Sequence, residues 1–294
     1  MERLKGRDMK YISIVLISIL LVGCAGIQTP PINPTSVAIL TTPTAKLTIT
    51  VVATVTPNIN IVPILPFEEA RQQSIILLET NNNCQLPCWW GVHPSVTTWE
   101  EVAKTLGSLS TGCCISYPIF EDGLVYINPP TPNDEHGKVL FHTYYLEKGI
   151  VKSMVIYNFD FAPMTHFNNI IANFGIPKEM YIRGHQDEGF RLVLFYPEQG
   201  ILAEYSRTIT SSTQENVKVC YQDANSPFLY LWKPNYPMSF EEAIVYLHVP
   251  TEDIPEFMPI EESLTNLNEF IESLGKLKGN MCIETPKDLW PTKY

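Results

Sequence analysis

Proline divides this chain into a part that can fold into a compact domain and a part that cannot. Residues 25–66 hold seven prolines among many Thr, Ile and Val residues, and Lys46 is their single charged residue. Because proline favours an extended, polyproline-like backbone, this stretch indicates a tether. Residues 46–55 alternate and are rich in β-branched side chains, so a β-strand is the alternative there. We therefore expect the folded domain to occupy residues 67–294.

A basic and then apolar segment precedes the tether. Lys and Arg residues come first, and a run of apolar residues follows at 12–22. Since roughly 20 apolar residues are needed to cross a bilayer, this run favours a secretory signal over a transmembrane helix. Residues 21–24, Leu-Val-Gly-Cys, resemble the lipobox of bacterial lipoproteins. The resemblance implies a signal peptide at 1–23, a lipid such as palmitate on Cys24, and a tether at 24–66.

We accordingly expect the protein to be attached to the cell membrane by its lipid, with its body on the extracytoplasmic face. Removal of residues 1–23 would take the formal charge from −11 to −13, because four Lys or Arg and two Asp or Glu are lost. Nucleic acid and anionic lipid headgroups would be repelled by such a charge. The expected contact with the membrane is therefore the lipid on Cys24, and nucleic acid is not an expected partner.

Lipidation of Cys24 would leave an even number of cysteines in an oxidising compartment, which favours disulfides. The six are Cys84, Cys88, Cys113, Cys114, Cys220 and Cys282. We expect Cys84–Cys88 to close a short loop and Cys220–Cys282 to tie the tail to the body. The adjacent Cys113 and Cys114 would bond to each other only with a strained peptide, and their pairing stays open.

Start and stop signals predict several helices. Residues 67–78 have two Glu residues in the first turn and are followed by three Asn residues. A second helix opens with a capping box, either Thr97 with Glu100 or Thr98 with Glu101, and ends at residues 106–107. Further helices are predicted at 239–247, capped by Ser239, and at 265–274, where Gly275 would stop the helix.

Residues 97–109 and 165–177 are similar, which indicates an internal repeat. The cap, the apolar positions and the final glycine coincide, with Thr97 matching Thr165 and Gly107 matching Gly175. Each helix precedes a predicted hairpin, at 139–159 and 191–206. The expected fold is α+β, an antiparallel sheet with helices on one face, built from two helix-plus-hairpin repeats at about 90–160 and 161–208. Residues 217–294 are expected to form a C-terminal helical extension with a short strand at 217–221. Chance similarity is the alternative to duplication.

The string Cys-Gln-Leu-Pro-Cys-Trp-Trp-Gly at 84–91 resembles a set of uncharacterised bacterial lipoproteins that carry the same motif. Residues 91–107 are also similar to the helix-opening motif of β-lactamase-inhibitor-like domains and of the small lipoprotein of the outer-membrane barrel-assembly machinery. Ser95 and Val96 stand where that pattern has a glycine. The second resemblance implies helix-plus-hairpin units that bind other proteins.

Catalytic motifs are absent from the sequence, including Gly-x-Ser-x-Gly, His-Glu-x-x-His and Walker loops. Cys88 with His93 is the best candidate for a nucleophile and base, but Cys84 lies close enough for a disulfide to form instead. Cys84, Cys88 and His93 lack the second cysteine pair of a zinc site, and a thioredoxin-like role would need Cys-x-x-Cys. No cofactor or metal is expected.

The sequence thus predicts a non-enzymatic domain that binds another envelope protein or a glycan. Trp89, Trp90 and Trp99 are the possible binding surface, although a tryptophan pair of this kind more often belongs to the core. The alternative is an exported hydrolase or carbohydrate-binding accessory, with a site between Trp89, Trp90 and the loop at 110–138.

Overall fold

The fold is described from a computed structural model. The structure describes residues 63–109, 123–130, 140–157, 162–225, 227–246, 256–277 and 281–292. All of them lie in one of the two units into which the chain divides, Ile59–Tyr294. The predicted signal peptide, Cys24, the tether up to residue 62, Cys113 and Cys114 lie outside the described residues.

The described chain contains six α-helices and eleven strands. The helices are α1 (Phe67–Thr80), α2 (Trp99–Leu106), α3 (Phe167–Phe174), α4 (Phe240–Ile244), α5 (Ile260–Ser263) and α6 (Leu267–Lys276). The strands are β1 (Gly123–Ile127), β2 (Phe141–Glu147), β3 (Ile150–Tyr157), β4 (Glu179–His185), β5 (Gly189–Tyr196), β6 (Ile201–Thr208), β7 (Ser211–Ser212), β8 (Asn216–Cys220), β9 (Pro227–Trp232), β10 (Met258–Pro259) and β11 (Cys282–Pro286).

Among the described residues, eight strands form one sheet in the order β1-β2-β3-β9-β6-β5-β4-β10. Every neighbouring pair in it is antiparallel. A smaller sheet has the order β11-β8-β7, and in it Cys282 pairs with Cys220. The predicted α+β class and its antiparallel sheet are confirmed.

Local signals explain where the first helices begin and end. Asn81 follows α1 with a left-handed backbone (φ 48°), a conformation that Asn tolerates better than most residues. For α2 the capping box is Thr98 with Glu101, because the two side chains bond reciprocally to each other's backbone N–H groups. Thr97, the other candidate for the cap, instead accepts a hydrogen bond from the His93 N–H at 2.8 Å.

The two similar segments each form a helix followed by a three-stranded meander, not by a hairpin alone. The first is α2 with β1–β3 and the second is α3 with β4–β6. Gly149 and Gly200 have the same φ of 73° at the matching turns. The predicted cap at Thr165 is wrong, because its hydroxyl donates to the Ala162 carbonyl and the N-cap residue is His166. The duplication stays a prediction.

The C-terminal part is more than the predicted helical extension. Strand β9 lies between β3 and β6, at the centre of the large sheet. Strand β11 pairs with β8, where the sequence indicated only turns. Gly275 does not stop α6, because the helix continues through it and ends before Leu277, whose φ is 47°.

Both faces of the large sheet carry apolar side chains. On the first face they pack in one continuous core with residues of α1, α2, α3 and α6. On the second face, side chains of β3, β5, β6 and β9 pack against Phe240 and Ala243 of α4. Helices α1 to α3 thus lie on one face, as expected, and α4 adds cover to the other.

Candidate functional site: the cysteine and tryptophan motif and the second sheet face

The motif at 84–91 is held in place by Asn81. The Asn81 side-chain amide donates to the carbonyls of Cys84 (2.8 Å) and Cys88 (2.9 Å). Its oxygen accepts a hydrogen bond from the Trp90 N–H at 2.7 Å. Since Asn81 is itself buried, these three bonds satisfy both polar atoms of its side chain away from water. The asparagine that ends α1 therefore also shapes the loop that follows.

Trp89 and Trp90 belong to the core. They are 0% and 2% exposed, and their rings stack with centroids 5.8 Å apart. Trp99 is only partly buried, but it packs against the same core and its ring lies 6.2 Å from that of Tyr144. The interpretation of the Trp89–Trp90 pair as part of the core is confirmed, and these two side chains are not available as the binding surface that was the other possibility.

His142 is the polar group against which the tryptophan pair packs. It is completely buried, and its ring centroid lies 4.5 Å from that of Trp90. The Trp89 indole N–H can only donate, so it donates to His142 Nε2 at 3.4 Å. The proton of the neutral imidazole is then on Nδ1, which lies 3.4 Å from the Tyr144 hydroxyl. Burial lowers the pKa of His142 to about 3, so the ring stays neutral at ordinary pH.

The two expected disulfides are present. Cys84 is bonded to Cys88, and Cys220 is bonded to Cys282 across the paired strands β8 and β11. Cys88 and Cys282 are buried, whereas Cys84 and Cys220 are partly exposed.

The candidate nucleophile and base are adjacent in space. His93 Nε2 lies 3.4 Å from Cys88 Sγ, but that sulfur is in the disulfide and is not a free thiol. Within the described ranges, no group of three or more His, Cys, Asp or Glu residues is arranged to hold a metal ion.

The second sheet face carries aromatic side chains that the sequence analysis did not single out. Phe141, Tyr157 and Phe228 are consecutive cross-strand neighbours on β2, β3 and β9. Tyr126 on β1 shares this face, because it lies opposite Thr143, two residues from Phe141. We name these four residues the aromatic strip. Phe141 is 43% exposed and Tyr126 is 38% exposed, so the strip reaches solvent.

Three rings of the aromatic strip, those of Phe141, Tyr157 and Phe228, meet edge to face. The interplanar angle is 82° between Phe141 and Tyr157 and 83° between Tyr157 and Phe228. The signal for this surface was the strand pattern of residues 141–146, which places Phe141, Thr143 and Tyr145 on the second face, opposite Tyr144 and Leu146 of the first face. The surface could not be predicted, because the pairing of β1 with β2 and of β9 with β3 depends on tertiary packing.

Charged side chains lie beside the aromatic strip. Glu204 is the cross-strand neighbour of Phe228, its side chain is completely buried, and it accepts a hydrogen bond from Arg191 Nη1 at 2.8 Å. Arg183 lies opposite Arg191 on β4, with its guanidinium 4.3 Å from the centre of the Phe257 ring. Burial lowers the pKa of Arg183 to about 10, which leaves it charged at neutral pH.

The longest described helix, α1, has 14 residues, and none in the described part of the chain is both long and apolar enough to cross a bilayer. Comparison of the chain with protein families, with curated proteins and with solved structures gave no significant match.

Proposed function

We propose that the protein is a bacterial lipoprotein, anchored in the cell membrane through lipid on Cys24, with its body on the extracytoplasmic face. The lipobox-like residues 21–24 support the anchor. The observation that carries the location is the pair of disulfides, Cys84–Cys88 and Cys220–Cys282. Disulfides persist in exported proteins and are rare in the reducing cytosol.

The body acts as a non-enzymatic binding domain, and its partner is another envelope protein. The aromatic strip supports this role because its apolar residues are contiguous and reach the surface, as is typical of contact sites. Its tyrosines combine an apolar ring with a hydroxyl, a combination that is enriched at protein interfaces. Arg191, whose side chain is 41% exposed, supplies a polar contact at the border of the strip.

The alternative, an exported hydrolase or carbohydrate-binding accessory with a site at Trp89 and Trp90, loses its support because both side chains are buried. An aromatic platform for a glycan would need these rings at the surface.

The anchor is tested on the mature protein from a bacterial host that processes lipoproteins. Mass spectrometry without reduction should find residues 1–23 removed, acyl groups on Cys24 and both disulfides intact. A Cys24→Ala variant should leave the membrane fraction. A mature protein that retains residues 1–23 would refute the anchor. So would a Cys24→Ala variant that remains in the membrane fraction.

The binding surface is tested by crosslinking on intact cells followed by purification of the protein. The double variant Tyr126→Ser with Phe141→Ser should lose the crosslinked partner. The matched control is Val96→Ser, because Val96 is 71% exposed and lies outside the aromatic strip. If both variants retain the partner, the strip is not the binding surface.

A further inference from the structure

The two cysteines of the Cys84–Cys88 disulfide differ in their exposure to solvent. Cys88 is 3% exposed, whereas Cys84 is partly exposed. Thiol–disulfide exchange requires a thiolate to reach one sulfur while the other leaves. The difference in exposure therefore selects Cys84 as the sulfur that can be attacked and Cys88 as the leaving group.

The leaving sulfur has a potential proton donor beside it. His93 Nε2 lies 3.4 Å from Cys88 Sγ, and the residue is exposed, so it can exchange protons with solvent. Its backbone is fixed, because its N–H donates to Thr97 Oγ1 at 2.8 Å and its carbonyl accepts from the N–H groups of Val96 and Thr97. A histidine close to a cysteine favours the thiolate form.

The attacked cysteine borders a cleft. A space of about 180 Å³ is lined by Cys84, Gln85, Leu86, Met164, Asn173 and Phe174. Apolar cavities of about 150 Å³ accept a molecule as large as benzene, so this cleft has room for one apolar side chain next to the thiol that attacks. Two side-chain amides, of Gln85 and Asn173, could bond to the backbone of an incoming segment.

We propose that Cys84–Cys88 is a reversible covalent docking site for a partner polypeptide that carries a cysteine thiol beside an apolar residue. The partner's thiolate attacks Cys84 Sγ and forms a new S–S bond. The Cys84–Cys88 bond breaks, and its electron pair leaves on Cys88 Sγ, which His93 protonates or stabilises by a hydrogen bond. One disulfide and one thiol become another disulfide and another thiol, so no external oxidant or reductant is consumed.

Release of the partner follows from the same geometry. After exchange, Asn81 can still bond to the carbonyls of Cys84 and Cys88, and this keeps the two residues close together. Attack of Cys88 on Cys84 is then intramolecular and faster than a reaction between separate molecules. No residue of the aromatic strip takes part in this exchange, so the reaction at Cys84 can be tested independently of the proposed binding surface.

The test uses the mature protein with two cysteine peptides, one with leucine and one with aspartate on either side of the cysteine. Samples are quenched with N-ethylmaleimide and mapped by mass spectrometry without reduction. The expected product carries the peptide on Cys84 and maleimide on Cys88, forms faster with the leucine peptide, and leaves Cys220–Cys282 intact. A peptide on Cys88, equal cleavage of both disulfides, equal rates for the two peptides, or no product would overturn the proposal.

The role of His93 is tested with His93→Phe, which removes the N–H but keeps a ring. The exchange rate should fall about tenfold, because a hydrogen bond to a developing thiolate is lost. The control His185→Phe should react at the wild-type rate. Circular dichroism establishes that both variants are folded, and an unchanged rate in folded His93→Phe would refute the assignment of His93.

Discussion

Protonation of His142 should make the domain less stable in mild acid. The folded pKa is about 3 because burial disfavours the charged ring, whereas a histidine in the unfolded chain titrates near 6.5. Between these values the unfolded chain binds a proton that the folded chain does not, so the free energy of unfolding rises with pH. The stabilising effect is complete above about pH 6.5 and is lost progressively as the pH falls toward about 3.

One pKa unit corresponds to about 1.4 kcal/mol, so His142 alone should remove about 2 kcal/mol of stability between pH 7 and pH 5. Urea unfolding at the two pH values measures this difference directly. A His142→Phe variant should be destabilised at pH 7, since Trp89 loses its acceptor, by about 1–3 kcal/mol. Its pH-dependent loss should nevertheless be smaller than that of the wild type by about 2 kcal/mol.

The control is Val96→Ser, because Val96 is exposed and neither side chain titrates in this range, so the pH-dependent loss should be unchanged. Equal stability of the wild-type protein at pH 5 and pH 7 would refute the reasoning. So would a His142→Phe variant that retains the full loss, since the titrating group would then be another residue.

Three further variants test other parts of the structure. Thr98→Ala removes the N-cap of α2 and should cost about 1 kcal/mol in urea unfolding; an unchanged midpoint would contradict the cap. Asn81→Ala leaves the Trp90 N–H and two carbonyls without their bonds and should cost about 2–4 kcal/mol, with a lower melting temperature. Arg191→Ala removes a partner of the buried Glu204 and should cost about 1–3 kcal/mol. The double variant Arg191→Ala with Glu204→Gln should recover part of that loss, and no recovery would mean that the pair does not interact.

Local chemistry made much of the first half of the domain predictable. The capping box of α2, the asparagine that ends α1 and the glycine turns of both meanders depend on a few adjacent residues, so sequence could locate them. The same holds for Cys84–Cys88, whose partners are four residues apart. Cys220–Cys282 was also predicted, although its two strands pair over a long separation.

The remaining features depend on contacts between distant residues. No local pattern in residues 227–232 indicates that β9 lies at the centre of a sheet. Its pairing with β3 and β6 depends on how distant parts of the chain pack together. The same packing buries Trp89 and Trp90 against His142, which is 53 residues from Trp89. The aromatic strip was missed for this reason too, since it forms only when β9 brings Phe228 beside Tyr157.

The position of β9 late in the chain leaves the large sheet incomplete until synthesis has passed residue 227. During synthesis both meanders, β1–β3 and β4–β6, are complete before β9, the strand that joins them, has been added. Until then β3 and β6 each present an open edge, and open edges pair readily with other chains. A product cut short before residue 227 would keep both edges exposed. Only a chain that extends past residue 232 contains the whole of β9 and can cover both edges with its own backbone.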